Sequence, residues 1–179
     1  DEGTERWFTN SAAPYEGVMQ ITTRVTGSTF KQALSRLEPG DRIELTQDPE
    51  GDFTWEETDV PVVFVAGGIG VTPFHSILKQ RHHDGEPLEV TLIYGSGSDD
   101  VAFADELIGW EEADHSLTVH RVVGEPLTVD VLIRLVPTLT DSLVYVSGPE
   151  PMVEALGEAL REAGLPDPQL KEDFFPGYT

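Results

Sequence analysis

The sequence predicts an α/β protein whose larger, second part is a doubly wound parallel sheet. From Pro61 onward, short apolar runs rich in β-branched residues alternate with helix-like segments, which is the pattern of strands covered by helices on both faces. A glycine loop follows the first of these runs, and a second glycine turn follows a later one. The part before Pro61 has strand-like runs and a single helix-like stretch, so we expect a smaller unit there.

The boundaries of the elements follow from the apolar runs and the turn residues between them. Strands are predicted at residues 62–66, 88–94, 117–123 and 143–146, with a last one near 169–171, and helices at 73–81, 102–112, 129–135 and 151–163. Ahead of them, strands at 20–25 and 42–46 are separated by a helix at 29–37. The acid-rich stretch 50–59 resembles a solvated connection, so we place a domain boundary near Thr58, with domains at 1–58 and 59–179.

Charge and composition restrict the partners of the chain. The formal net charge is −22 over 179 residues, so the positive surface that would neutralise phosphates is missing, and neither nucleic acid nor an anionic membrane is an expected partner. Cysteine is absent, which excludes a disulfide, a thiolate zinc site and a cysteine-ligated iron-sulfur cluster within this chain. The apolar runs are far shorter than the roughly 20 residues of a membrane helix, and the acidic start is unlike a secretory signal. We therefore expect a cytoplasmic protein.

The acidic residues are spread along the whole chain rather than gathered in a tail. This distribution is compatible with adaptation to high salt, where the Debye length falls to about 3 Å at 1 M. It is equally compatible with an ordinary acidic protein, and both interpretations stay open.

The loop from Gly67 to Pro73 has the strongest functional pattern. It joins a buried strand to a helix, with Thr72 predicted as the N-cap and Pro73 as the first helical residue. Glycines at Gly67, Gly68 and Gly70 allow a phosphate or a ring to approach the backbone, and a helix N-terminus favours an anion. Taken alone, the loop is as compatible with a tight turn that binds nothing as with a dinucleotide site.

Three further stretches bear on this choice. Ser147-Gly148-Pro149, with Met152 shortly after, forms a second glycine turn at the end of a strand, at the sheet edge where doubly wound folds bind ligands. The run Arg6-Trp7-Phe8-Thr9 combines a cation, aromatic rings and a hydroxyl, with Arg6 and Phe8 expected on one face. Gly27-Ser28-Thr29 precedes a helix. In isolation, the run from Arg6 to Thr9 would be interpreted as a surface arginine beside core aromatic residues, and Gly27-Ser28-Thr29 as an ordinary helix cap.

In this order along the chain, the motifs resemble the ferredoxin-NADP reductase family of flavoproteins. Arg6 to Thr9 is similar to its flavin motif, which implies that Arg6 holds flavin phosphate, that Trp7 lies in the flavin site, that Phe8 replaces the tyrosine covering the isoalloxazine, and that Thr9 approaches the reactive N5. The resemblance makes Gly27, Ser28 and Thr29 a phosphate-contacting helix start.

On the nicotinamide side, the resemblance covers two loops. Gly67 to Pro73 is similar to the family's nicotinamide loop, and Ser147 to Met152 to its Cys-Gly-Pro-x-x-Met turn, with Ser147 where many members have cysteine. The resemblance thus implies that Thr9 and Ser147 act next to the transferred hydride. The ending 172–178 resembles a C-terminus that returns toward the flavin, which adds Tyr178 to the expected site.

The implied cofactors are FAD, with FMN as an alternative, and a nicotinamide dinucleotide. A 2′-phosphate requires a cation, whereas an acid accepts a hydrogen bond from a free 2′-hydroxyl. The loops at 95–100, with Ser96, and at 123–125, with Glu125, carry no cation, so we expect NADH to be preferred over NADPH. Arg121 is the residue that we expect to reverse this preference if it reaches the site.

The implied activity is transfer of a hydride from nicotinamide to flavin, followed by transfer of electrons to a separate acceptor protein such as a ferredoxin or an oxygenase component. The family's flavin domain is a closed antiparallel barrel that supplies about three more strands before the Arg6 motif. We expect those strands to belong to a longer form of the protein, to have been removed by proteolysis, or to be supplied by exchange with another subunit. Without them, the alternative is a dinucleotide-binding module that holds no stable flavin. A metal site at His82 and His83, helped by His75, is a third, less favoured possibility.

Overall fold

The computed structural model describes residues 6–25, 27–45 and 50–175 and contains a five-stranded parallel sheet with helices on both faces. The strands are β1 (Val62–Gly67), β2 (Val90–Ser96), β3 (Thr118–Val123), β4 (Leu143–Pro149) and β5 (Leu170–Phe175). The helices are α1 (Thr29–Leu34), α2 (Thr72–Asp84), α3 (Ala104–Ala113), α4 (Val129–Leu135) and α5 (Glu150–Glu162). The predicted doubly wound sheet is confirmed.

The strand order is β3-β2-β1-β4-β5, and every pair is parallel. The chain first builds the sheet outward from β1 to β3 and then crosses back to place β4 on the other side of β1. The connections leave β1 and β4 in opposite directions, which makes the gap between their carboxyl ends the switch point where open α/β sheets bind ligands. The glycine loop follows β1, and the second glycine turn closes β4.

Alternate residues of β1 enter two separate apolar clusters, one on each face of the sheet. Phe64 packs with Phe74 of α2 in the first cluster, where the two ring centroids are 4.4 Å apart. Val65 packs with Val146 and Leu156 in the second. Because β1 is covered on both faces, all its residues are buried, and this explains its unbroken apolar run.

Most of the predicted elements occur with ends displaced by a few residues. The largest shift at the start of a strand is in β2, which begins at Val90 rather than at the predicted residue 88. Glu89 has a φ of 47°, a left-handed conformation that interrupts the extended backbone. Leu88 is nevertheless buried in the core, so the apolar pattern located the residue correctly but not the strand's first hydrogen bond.

The prediction of strands at 20–25 and 42–46 is wrong, because the described residues of these two segments form no regular strand. Their one antiparallel pairing is an isolated bridge between Asn10 and Ile21, and 42–45 form no strand, while Thr46 lies outside the described residues. Helix α1 ends at Leu34, three residues before the predicted end. Apolar alternation shows that a segment can pair, but a strand forms only when a neighbouring strand supplies the hydrogen bonds.

Residues 50–59 form a connection without regular secondary structure, in which all residues except Phe53 and Trp55 are exposed. Phe53 and Trp55 lie against the first apolar cluster, and the Tyr145 hydroxyl donates to the Thr54 carbonyl at 3.1 Å. The Arg81 guanidinium lies 3.9 Å from the centre of the Trp55 ring. The stretch is therefore a solvated connection, as predicted, that is anchored on the sheet at Phe53 and Trp55, and the boundary near Thr58 remains a proposal.

The N-terminal segment is held on α2 by side-chain hydrogen bonds. The His75 ring nitrogen Nδ1 lies 2.8 Å from the Ser11 carbonyl, and the Ser76 hydroxyl donates to the Ala12 carbonyl at 2.8 Å. The buried His75 ring also stacks on Phe103.

Within the described part of the chain, no helix is long and apolar enough to cross a membrane.

Candidate functional site

The two glycine turns meet at the carboxyl ends of β1 and β4, where their backbones are in close contact. A Cβ atom at Gly70 would lie 2.5 Å from the carbonyl carbon of Ser147 and 2.7 Å from the Cα of Gly148. A Cβ at Gly148 would lie 3.2 Å from the Cα of Gly67. Glycine is required at Gly70 because its neighbours are backbone atoms that no side-chain rotation can move aside.

Met152 seals this junction from α5. A Cβ at Gly67 would come within 2.7 Å of the Met152 methyl carbon, so the thioether lies directly on the glycine backbone. Proximity of these turns, which the sequence motifs only implied, is thus observed.

Thr72 and Pro73 have different roles from those predicted. A short 3₁₀ turn at Gly68–Val71 precedes α2, which includes Thr72 with helical dihedral angles. Its hydroxyl donates to the Ile69 carbonyl at 3.1 Å instead of accepting from a backbone amide, so Thr72 is not an N-cap. Pro73 occupies the first turn of α2, where its missing N–H has no cost. Both residues are buried, so they support the glycine loop from the protein interior and do not face the solvent.

A cleft of about 860 Å³ opens beside these turns, along the carboxyl edge of the sheet. Its predicted site residues are Gly67, Gly68, Ser96, Glu125, Pro149 and Met152. Ile69, Gly95, Gly97 and Gly124 also line it and belong to loops that the sequence analysis placed at the dinucleotide, whereas sequence reasoning missed Arg24, Pro126 and Leu127. Pro126 and Leu127 could have been found from their positions directly after the loop 123–125, whereas nothing in the sequence pattern indicated Arg24.

Gly68 marks the point where a ligand can approach the backbone most closely. Its φ of 55° favours glycine, and no atom lies within 4 Å of the place where a Cβ would be. The wall of the cleft is therefore bare backbone facing open space, which suits a phosphate or a flat ring.

Ser147 lies at the end of β4 and is fully buried. Its Oγ is 3.4 Å from the Asp173 carboxylate on β5, which is the neighbouring residue in the parallel register. Burial raises the pKa of Asp173, the hydrogen bond from Ser147 opposes that rise, and the charge of Asp52 adds to it. Ser147 and Asp173 thus form a small polar pair beside Gly148.

The predicted flavin motif lies outside this cleft, in the N-terminal segment. Arg6 and Phe8 share a face as predicted, because the Arg6 guanidinium lies 5.4 Å from the centre of the Phe30 ring and the Phe8 and Phe30 centroids are 6.0 Å apart. The Trp7 side chain is 67% exposed. Thr9 is partly exposed.

The start of α1 does not show the expected cap. Ser28 is the residue before the helix, but its side chain makes no capping hydrogen bond. Gly27, Ser28 and Thr29 therefore stay candidates for a phosphate contact on the strength of the resemblance alone. Tyr178 lies outside the described residues.

Two arginines are near the end of β2. Arg24 lines the cleft, with its Nη2 atom 3.4 Å from the Ser96 hydroxyl. Arg121 is opposite Tyr94 in the sheet, but its guanidinium donates to the Asp99 carbonyl at 2.7 Å, and Arg121 is not among the residues that line the cleft. Burial raises the pKa of the Tyr94 hydroxyl, and the charges of both arginines oppose that rise. The cation at the cleft is thus Arg24.

The residues considered for a metal site have other contacts. His75 is buried against the N-terminal segment, and His83 stacks on Tyr15 with centroids 3.8 Å apart. Among the residues described, no group of three or more histidines and acids could hold a metal ion.

The sheet order and the paired glycine turns at its switch point define a dinucleotide-binding type of α/β domain. A family model described as the oxidoreductase NAD-binding domain matches residues 64–158, which contain the glycine loop, the second turn and all the cleft residues except Arg24. The chain therefore belongs to this family, within the ferredoxin-NADP reductase-like oxidoreductases.

Curated relatives share moderate identity. The chain is 33% identical over 156 residues to a flavohemoprotein of Rhodopirellula baltica, an alignment that covers 78% of this chain and 38% of that protein. It is 32% identical over 152 residues to the reductase component of propane 2-monooxygenase from Rhodococcus jostii, covering 76% of this chain and 41% of the relative. The chain spans well under two thirds of the length of the relatives it matches.

Solved structures show the same fold. A cytochrome P450 reductase from Amycolatopsis superposes with a TM-score of 0.77 at 22% identity, over 94% of this chain and 56% of that one. A flavohemoglobin from Malassezia yamatoensis, solved with bound FAD and heme, superposes with a TM-score of 0.74 at 19% identity, over 95% of this chain and 46% of that one.

Proposed function

We propose that this chain is the nicotinamide-binding part of a flavin-dependent NAD(P)H oxidoreductase that passes a hydride from nicotinamide to flavin and electrons onward to a carrier. The observation that carries the proposal is the packing of Gly70 on Ser147 and Gly148, which places two glycine turns beside one cleft at the switch point of the sheet. The family match agrees with this assignment.

The cleft suits a nicotinamide dinucleotide in size and chemistry. Its volume of about 860 Å³ is in the range of ligand sites for molecules of that kind. The glycine backbone around Gly68 is open to a phosphate, and Leu127 and Ile69 add apolar surface to the walls. The dinucleotide would extend from Ser96, at the end of β2, toward the second glycine turn.

The residues of the N-terminal segment fit a flavin in their chemistry. Arg6 supplies a cation, Trp7 and Phe8 supply rings, and Thr9 supplies a hydroxyl close by in the chain. The Thr23 hydroxyl is buried without a hydrogen-bond partner in the described part of the chain, so this segment has an unsatisfied polar group. We propose that Arg6, Phe8 and Gly27 to Thr29 hold FAD, and we favour FAD over FMN because the flavohemoglobin with this fold was solved with FAD.

A bound flavin would supply the hydride-accepting chemistry, and the protein would supply alignment. Gly67 and Gly68 would hold the nicotinamide end against the loop, while the Ser147 hydroxyl oxygen would accept a hydrogen bond next to the transferred hydride, because its own proton is donated to the Asp173 carboxylate. Asp173 keeps the Ser147 hydroxyl oriented, and Thr9 would orient the flavin from the other side.

For the nicotinamide donor, we propose a preference for NADH. Glu125 lies in the cleft wall, where its carboxylate can accept a hydrogen bond from a ribose hydroxyl and disfavours a phosphate. The electron acceptor is proposed to be a separate protein, because relatives are reductase components of propane 2-monooxygenase and of 3-ketosteroid-9-alpha-monooxygenase.

A dinucleotide-binding module without stable flavin is the second candidate. It is favoured by the N-terminal segment, where the described residues of 6–58 form an isolated antiparallel bridge and no regular strand. In this case the cleft would bind NADH, but the chain alone would not carry out redox chemistry.

Reconstitution with FAD separates the two candidates. The reductase is supported if the protein retains bound flavin absorbance near about 450 nm and NADH bleaches it in stopped-flow mixing. Failure to retain flavin, with NADH binding intact, would support the module instead.

A serine pair makes the test specific. Ser147→Ala should slow flavin reduction by about tenfold with little change in NADH affinity, because the hydroxyl is expected to act on alignment. Ser142→Ala is the matched control, since it removes another buried hydroxyl just before β4, one that bonds the Thr138 carbonyl. Equal effects of the two variants on the reduction rate would contradict the role of Ser147.

A further inference from the structure

The chain contains two sulfur atoms, those of Met19 and Met152, because it has no cysteine. Peroxides oxidise a thioether to a sulfoxide, and no thiol in this chain competes for the oxidant. The two sulfur atoms differ in their position. Met19 is 49% exposed in the N-terminal segment and is outside the cleft, whereas Met152 lines the cleft. Oxidation of sulfur at the cleft therefore concerns Met152.

Met152 packs on both glycine turns at once. A Cβ at Gly67 would lie 2.7 Å from the Met152 methyl carbon, and a Cβ at Gly148 would lie 2.6 Å from the same carbon. The Met152 sulfur is also close to Gly67. One thioether thus fills the space between the ends of β1 and β4, which is available because both of these positions are glycine.

The Met152 side chain can be reached from the cleft. It belongs to the first turn of α5 and is half-buried, whereas Val153 and Leu156 of the same helix are buried in the core. An oxidant that enters the cleft therefore reaches Met152 without opening the core. In a chain of net charge −22, an uncharged oxidant such as hydrogen peroxide approaches more readily than an anionic one.

An oxygen atom added to the Met152 sulfur has two directions open to it. Toward the glycine turns, it would meet backbone atoms that the thioether already touches, so the turns would have to separate. Toward the cleft, it would occupy the space next to Gly67, where the nicotinamide end is proposed to lie. The sulfoxide is also polar, whereas the thioether is apolar. Both directions lower the affinity for a dinucleotide.

We propose that Met152 is a reversible modification site, at which hydrogen peroxide forms a sulfoxide that closes the cleft to the dinucleotide. In this step a sulfur lone pair forms the S–O bond while the O–O bond of the peroxide breaks. The sulfur loses two electrons, and the peroxide is reduced to water. Methionine sulfoxide reductases reverse the change. Peroxide would thus stop the supply of hydride where the donor binds, an inference that rests on the proposed dinucleotide cleft.

The test measures NADH binding to the full chain by titration calorimetry, before and after treatment with hydrogen peroxide that is then removed. Trypsin places Met19 and Met152 in separate peptides, residues 7–24 and 135–161, so mass spectrometry measures each sulfoxide by itself. NADH affinity should fall by about tenfold or more as Met152 is oxidised. Treatment with reductases for both sulfoxide epimers should restore it.

Three variants assign the effect to one sulfur atom. Met19→Leu is the matched control, and it should bind NADH like the unsubstituted chain and lose the same affinity with peroxide. Met152→Leu keeps an apolar side chain without sulfur, so peroxide should leave its own NADH affinity unchanged. Met152→Gln has a polar side chain of similar length, so its affinity without peroxide should be lowered toward that of the oxidised chain.

The outcomes separate this inference from the proposed function. An untreated chain that binds no NADH would overturn the proposed cleft, and this inference with it. An untreated chain that binds NADH, with equal affinity after full oxidation of Met152, would overturn the inference alone. So would resistance of Met152 to peroxide that fully oxidises Met19, or a loss of affinity in peroxide-treated Met152→Leu. A circular dichroism spectrum that changes on oxidation would also overturn it, because the fold rather than the cleft would then be lost.

Discussion

Gly70→Ala adds one methyl group at the point where the two glycine turns touch. The new Cβ would lie 2.5 Å from the Ser147 carbonyl carbon, whereas ordinary contact begins at 3.4 Å. The 3₁₀ turn that follows β1 and the end of β4 must therefore separate by roughly 1 Å, a shift that is resisted because the turn directly continues β1, which pairs with β4.

The expected cost follows from this overlap. Overpacking a well-packed site costs about 1–3 kcal/mol, and we expect the upper end, about 3 kcal/mol, since backbone rather than side chain must move. For a protein of this length, that loss lowers the melting temperature by about 6–12 °C. Because the separation also displaces the cleft wall, NADH affinity should fall by about tenfold or more.

The measurements are thermal and urea unfolding followed by circular dichroism, and NADH binding followed by calorimetry. Gly109→Ala is the control, because Gly109 lies in α3 with no atom within 4 Å of its would-be Cβ. That change should raise stability by about 0.5–1 kcal/mol through helix propensity and leave NADH binding unchanged. A Gly70→Ala protein within about 0.5 kcal/mol of the unsubstituted chain, with unaltered NADH affinity, would refute the close-packing argument.

Three further predictions concern charge and anchoring. Burial raises the pKa of Asp173 above its ordinary value, so ionisation of its carboxyl destabilises the fold as pH rises through the raised pKa. Asp173→Asn should remove this loss, so the variant should melt at a higher temperature than the unsubstituted chain at about pH 7 and show a smaller gain at about pH 4. An equal or absent gain at the two pH values would contradict the raised pKa. Hydrogen bonds from Ser116 and from the Leu88 amide to the Asp114 carboxylate lower the pKa of that carboxyl. Asp114→Ala should therefore reduce the free energy of unfolding in urea by about 1–3 kcal/mol at about pH 7, and this difference should shrink as pH falls through the lowered pKa. A cost that does not change with pH would contradict the prediction. His75→Ala removes a buried ring that holds the N-terminal segment on α2. Trypsin should therefore cleave this variant after Arg24 faster than it cleaves a His115→Ala control. Equal cleavage rates would show that other contacts hold the segment.

The parallel sheet was predictable because its central strands are buried on both faces. β1 and β4 read as unbroken apolar runs, and such runs fit few other structures at that length. Strand ends were less predictable, since a single left-handed residue such as Glu89 moves the start of β2 without changing the apolar pattern.

The N-terminal strands failed for a different reason. Residues 20–25 have a suitable composition, but a strand is a property of a pair, and the described neighbours supply one bridge. The acid-rich stretch 50–59 is the solvated connection that the sequence predicted, but the packing of Phe53 and Trp55 on the sheet was not predictable, because their partners are distant in the chain.

What the sequence by itself determined is local: the order of strands and helices, the glycine loop after β1, the second glycine turn after β4, and the acidic composition. These features depend on neighbouring residues, so a one-dimensional pattern contains them. Only the tertiary structure decided that Gly70 touches Ser147, that Ser147 is paired with Asp173, and that Arg24 rather than Arg121 is the cation at the cleft. Those contacts join residues far apart in the chain, and their distances are set by the packing of the whole sheet.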